Sequence, residues 1–174
     1  MKEAIAVFVL LAVVAAVGSG QTLEVTSRPP VADGVVQEGE YGWSRSFESI
    51  TLHLARSGDR LYAAAEAQTP GWVGIGIGSN RMSGAHIFIG FVRRGQAEIS
   101  QHQGRGHRHQ QIRQPVELQY GIREERGVTV MEISVPAEGF IRPGQNTLEL
   151  ILAFGRGDGF RGYHAYRRAV TVEL

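Results

Sequence analysis

Seven short runs set the limits on what this chain can become. SITLHLA, RLYAAAEA, GWVGIGI, AHIFIGFV, GVTVMEISV, TLELILAF and AVTVEL all alternate or are β-rich. Turn formers lie between them, such as SGD at residues 57–59, RRGQ at 93–96 and RPGQN at 142–146. Few segments carry a helical period. Short strands at this spacing predict an all-β chain, an antiparallel sandwich or barrel. Of these, an antiparallel β-sandwich with an immunoglobulin-like two-sheet architecture is the expected fold.

The length, 174 residues, is one domain's worth and buries roughly 70% of the unfolded surface. A formal net charge of +1 argues against a nucleic-acid binder held by polyanion attraction. Cysteine is absent, which removes disulfides, thiolate metal sites and c-type haem attachment. All basic residues but Lys2 are arginine.

The first 20 residues read as a secretory signal peptide. Lys2 precedes an apolar run, AIAVFVLLAVVAAV, and small residues follow it. That run is shorter than the ~20 residues a spanning helix needs. Cleavage after Ser19 or Gly20 leaves residues 21–174 as a single mature domain, secreted or periplasmic.

The stretch GWVGIGIGSNRMSGAHIFIGFV is unusual for a strand because glycine occupies alternate positions, Gly74, Gly76 and Gly78. Glycine in a strand interior packs nothing and loses backbone entropy. Period-two geometry puts Val73, Ile75 and Ile77 on the core face and leaves Trp72 and the glycines on the other. That bare face admits something flat: an aromatic ring, another backbone or a ligand. Met82 follows the turn, and by itself it reads as ordinary packing.

Two polar segments read as loops, the usual carriers of function. Residues 100–115 hold His102, His107 and His109, and two histidines at i and i+2 on an extended chain share a face and can meet one metal ion. A solvated loop explains the same pattern. Residues 155–168 are glycine-rich and present His164 just before the last strand. The familiar catalytic signatures are missing: no phosphate-binding GxxxxGK[ST], no GxSxG elbow, and only three aspartates. We expect no catalytic site.

Three segments together resemble the DOMON domain: DGVVQEGEY, GWVGIGIGSNRMSGAHIFIGFV and YHAYRRAVTVEL. The resemblance spans nearly all of the mature chain. It implies a β-sandwich that works outside the cytoplasm and binds haem or sugar, related to the cytochrome domain of cellobiose dehydrogenase. In haem-binding members a methionine and a C-terminal histidine are the axial ligands of a b-type haem. Carried over, these are Met82 and His164, which implies haem b as cofactor, its iron held by both, and a redox partner protein. Arg156, Arg161, Arg167 and Arg168 near His164 are then candidates for the haem propionates. His86, after Met-Ser-Gly-Ala, departs from the family pattern and offers a competing ligand. The alternative is a haem-free carbohydrate-binding module, with Trp72, joined by Trp43 or Tyr62, as a stacking platform.

Overall fold

The computed structural model describes residues 22–174. The predicted signal segment, residues 1–20, lies outside the described residues. The chain is all-β, as expected. Eleven strands form two antiparallel sheets: β1 (Trp43–Phe47), β2 (Ile50–Ser57), β3 (Arg60–Ala67), β4 (Val73–Ile77), β5 (His86–Arg93), β6 (Gln96–Arg105), β7 (Arg108–Gln111), β8 (Gln119–Glu125), β9 (Val128–Pro136), β10 (Thr147–Phe154) and β11 (Tyr166–Glu173). One sheet runs β1-β2-β3-β9-β8, and the other β11-β10-β4-β5-β6-β7. No helix among the described residues is long and apolar enough to cross a membrane.

The core lies between the sheets. Leu52, Leu54, Met131 and Ile133 from one sheet meet Ile75, Phe88, Leu150 and Leu152 from the other, all fully buried. Each such side chain contributes roughly 1.5–3 kcal/mol relative to exposure. Val73, Ile75 and Ile77 belong to this core, so β4 keeps the facing that its period of two predicts.

The polar segment 100–115 is mostly a hairpin and not the solvated loop its composition implies. β6 and β7 pair as Gln103 with Gln110 and Arg105 with Arg108. The physical reason is that its amides find partners. Buried Gln101 accepts from the Val116 N–H at 3.1 Å and donates to the Val116 carbonyl at 2.9 Å. An edge hairpin also leaves its other side chains free to face water.

The outer face of the five-stranded sheet is covered by residues 33–41, and one carboxylate holds them there. Glu132 on β9 is fully buried. Its Oε2 accepts from the backbone N–H groups of Asp33 (3.1 Å), Gly34 (2.7 Å) and Val35 (3.0 Å), while Oε1 accepts from the Tyr41 hydroxyl at 2.7 Å. Gly34 has φ +88°, a backbone conformation other residues seldom adopt. The DGVVQEGEY segment is thus a structural clamp.

Candidate functional site

The outer face of the six-stranded sheet is different. Trp72, Ile87, Ile89 and Phe91 form a second apolar cluster there, joined by Met82, Ile151, Ala153 and Phe160. Gly74 and Gly76 lie in the middle of it. A Cβ on Gly76 would stand 2.5 Å from Ile151 Cγ1, and one on Gly74 would stand 3.3 Å from Trp72 Cζ3. The flat object over the glycines is therefore, in part, the indole of Trp72 itself.

That indole organises the loop carrying His164. A Cβ on Gly155 would collide with Trp72 Nε1, and one on Gly162 would approach it to 2.8 Å. Backbone bonds tie the loop to the start of β4: Trp72 N–H donates to Gly157 O (3.3 Å) and Gly155 N–H to Trp72 O (3.0 Å). The Thr69 hydroxyl donates to Gly155 O at 2.7 Å. Ala165 N–H to Phe154 O, at 2.7 Å, closes the neck. The glycines of GRGDGFRG thus let a loop wrap one aromatic ring.

Met82 sits on a second loop, docked across β6. Gly84 N–H donates to Gly104 O (3.2 Å) and Gly104 N–H to Ala85 O (2.9 Å). A Cβ at position 104 would overlap the Met82 carbonyl, so only glycine admits the loop. Ser79 Oγ donates to Ser83 O at 3.0 Å, and the Asn80 side-chain amide donates to Glu149 at 3.1 Å. The loop is braced at both ends.

The two loops border one cleft of about 600 Å³. Met82 and His164 both line it, as do Ile151 and Ala153, which supply apolar surface from β10. Arg81, Arg167 and Arg168 line it too. Of the arginines singled out from sequence, the structure brings Arg167 to this cleft, turns the Arg168 guanidinium onto the Phe47 ring at 5.4 Å, and leaves Arg156 and Arg161 off the lining. Arg81 was legible as the neighbour of Met82, yet its position in the chain gave it no role.

The histidines divide sharply. His53 bonds Ser44 through Nδ1 and Glu66 through Nε2, both at 2.7 Å. His86 is half-buried, stacked on Phe88, with Nε2 2.8 Å from Gln101 Oε1. Burial pushes its pKa below the usual imidazole value. It lines a different groove from Met82, so the structure does not bring this competing ligand to the cleft. His102 and His109 contact each other, Nδ1 to Nδ1 at 3.1 Å. Burial, and then the neighbouring His109, push His102 down to about 4. His107 joins neither ring; among the described residues no group of three or more His, Cys, Asp or Glu could hold a metal ion. The three-histidine site is not assembled.

The aromatic platform is not assembled either. Trp72 is 7% exposed, Trp43 is 4% exposed in the main core, and Tyr62 is 7% exposed on the opposite sheet. None offers a ring face to a sugar.

Neither a protein-family model nor a curated protein sequence matches the chain. Solved structures do. The cytochrome domain of Myriococcum thermophilum cellobiose dehydrogenase superposes with a TM-score of 0.60 at 12% identity, covering 76% of this chain and 81% of that one. The cytochrome b domain of pyranose dehydrogenase from Coprinopsis cinerea gives 0.55 at 12% identity, over 71% and 76%. The chain has the fold of these DOMON-type cytochrome b domains. It also resembles a family 9 carbohydrate-binding module from Caldicellulosiruptor kristjanssonii solved with cellotriose, with a TM-score of 0.52 at 14% identity over 85% and 83%. Identities this low establish the shared fold alone.

Proposed function

We propose that the mature chain, residues 21–174, is an exported b-type cytochrome domain, secreted or periplasmic, that passes electrons to or from a redox partner protein. The observation that carries this reading is the meeting of Met82 and His164, far apart in sequence, on one cleft. A thioether and an imidazole are both good donors to haem iron. The cleft volume of about 600 Å³ falls within the roughly 300–1,000 Å³ typical of cofactor sites.

In this reading Met82 and His164 hold the iron from the two loops. Ile151 and Ala153 would exclude water from the floor, and Arg81 and Arg167 would bind propionate carboxylates with charge-assisted bonds. The haem supplies a one-electron centre when bound, and a methionine ligand raises its potential. With Met82 and His164 both holding the iron, the protein would leave no open position for substrate, and the domain would transfer electrons without catalysis of its own.

The test is an absorption spectrum of the protein exported from a haem-replete host. The expected product is a coloured, low-spin six-coordinate protein, and His164→Ala should turn it high-spin. A colourless protein that takes up no added hemin would end the reading.

The second reading, a haem-free carbohydrate-binding module, is supported by the likeness to the family 9 module. A second groove of about 490 Å³, lined by His86, Gln103, Arg142, Gln145 and Glu149, has the polar groups to receive sugar hydroxyls. Glycan binding by iron-free protein, lost in Arg142→Ala and retained in His164→Ala, is its signature.

A further inference from the structure

The chain has six histidines, and four have ring partners. His53 is bonded to Ser44 and Glu66, His86 to Gln101, and His102 and His109 to each other. The two remaining imidazoles, His107 and His164, make no hydrogen bond, ion pair or ring contact among the described residues. Both line the cleft that Met82 lines. Buried or half-buried imidazoles elsewhere in the molecule have found partners; the two that have none line the same cleft.

The topology puts His107 on the Met82 side. It occupies the turn between β6 and β7, next to Gly106 at φ +58° and closed by the Arg105–Arg108 pair. The Met82 loop docks on Gly104, two residues before that turn. His164 comes from the loop joining β10 to β11, at the other edge of the same sheet. One side of the cleft therefore offers a thioether and an imidazole, and the other a single imidazole.

We propose that His107 is a reserve nitrogen ligand for the axial position that Met82 holds, which gives the centre two ligation states. The inference rests on the haem reading above. In the exchange the Met82 sulfur–iron bond breaks and a His107 nitrogen–iron bond forms. No electron moves, and the neutral imidazole gives up no proton. Because methionine raises the potential relative to a second imidazole, the state held by His107 and His164 has the lower potential.

The experiment compares hemin-loaded wild type, Met82→Ala, His107→Ala and the double variant by absorption spectroscopy and redox titration. Met82→Ala should remain low-spin and six-coordinate, with its potential shifted down. The double variant should lose the low-spin bands and become high-spin. His107→Ala alone should keep the wild-type spectrum. Both positions changed lie in turns, and the far-ultraviolet dichroism of each variant checks that the fold is kept.

Met82→Ala turning high-spin by itself would overturn the inference, because His107 then does not reach. A double variant that stays low-spin would overturn it as well, since some other group then supplies the ligand. Loss of the low-spin bands in His107→Ala alone would make His107 the resident ligand and overturn its reserve role. Failure of the haem reading looks different from all of these: the wild type itself takes up no hemin.

Discussion

The two sheets each have an outer face, and the molecule finishes them in opposite ways. On the five-stranded sheet a chain segment folds over the face, and buried Glu132 is matched by three backbone N–H groups and the Tyr41 hydroxyl. On the six-stranded sheet two loops stand at the margins and leave a cleft between them. Two buried polar atoms on that face, Ser100 Oγ and His102 Nε2, have no hydrogen-bond partner among the described residues. Natural structures keep such groups rarely, and mostly where something other than stability has set the arrangement. A third such atom, Arg56 Nε, belongs to β2 of the five-stranded sheet, so the outer faces differ chiefly in that one is covered by chain and the other keeps a cleft.

The largest expected effect tests the closed face. Glu132→Ala leaves three amides and a hydroxyl without their acceptor, and should lower unfolding stability by about 3–5 kcal/mol. His164→Ala, at an exposed loop position, should change the stability of the haem-free protein by less than about 0.5 kcal/mol. Urea unfolding of both variants checks this. Equal losses would abolish the distinction between the faces.

The pH dependence sharpens it, because the two faces have opposite slopes. Burial, followed by the neighbouring His109, holds His102 at about 4, below its ordinary 6.5. Between those values the unfolded chain binds the proton and the folded chain does not. Stability from this group is therefore complete above pH 6.5 and is lost as pH falls toward 4, on the order of 2–3 kcal/mol. Glu132 runs the other way. Burial raises it above 4.5, with Glu40 adding to the rise and the Tyr41 hydroxyl and the Gly34 and Val35 amides opposing it. The folded state then holds a proton the unfolded state has lost, and stability falls as pH rises through that window. Unfolding curves from pH 4 to 7 should steepen toward acid in Glu132→Gln and flatten in His102→Gln. A curve unchanged in His102→Gln would mean that this ring does not titrate with folding.

Much of this was legible in the residues, and what was missed shares one cause. The facing of β4 followed from period two, because Val73, Ile75 and Ile77 have nowhere else to go. Met82 and His164 stand out singly in the sequence, but only the resemblance pairs them; their spacing alone does not bring them to one cleft, because that depends on which strands neighbour β10. Residues 100–115 look like a solvated loop in sequence because amide side chains resemble solvated ones until their partners, here the Val116 backbone, are known. His86 looked like a competing ligand from its place in the motif, yet strand pairing turned it toward Gln101 and Phe140. The clamp at Glu132 joins residues nearly a hundred positions apart, and no local pattern announces it. Local periodicity reaches across a strand; the partners of polar side chains are set by pairing at long range.

The smallest predicted change examines the open face from beneath. Gly76→Ala places a methyl 2.5 Å from Ile151 Cγ1 and 3.3 Å from Ala85 Cβ, so Ile151, part of the cleft lining, has to move. Overpacking of this kind costs about 1–3 kcal/mol, set against a gain of up to about 1 from replacing glycine in a strand. The net expectation is a loss of about 1–2 kcal/mol in urea unfolding, together with weaker hemin uptake as Ile151 shifts into the cleft. Gly42→Ala is the matched control: a Cβ there meets nothing within 4 Å, and the backbone is not in the left-handed region. It should be neutral or slightly stabilising. If Gly76→Ala behaves like Gly42→Ala, the alternating glycines do not shape the cleft. If it loses hemin uptake while keeping most of its stability, they are there to leave room on the outer face for Ile151 and for what binds above it.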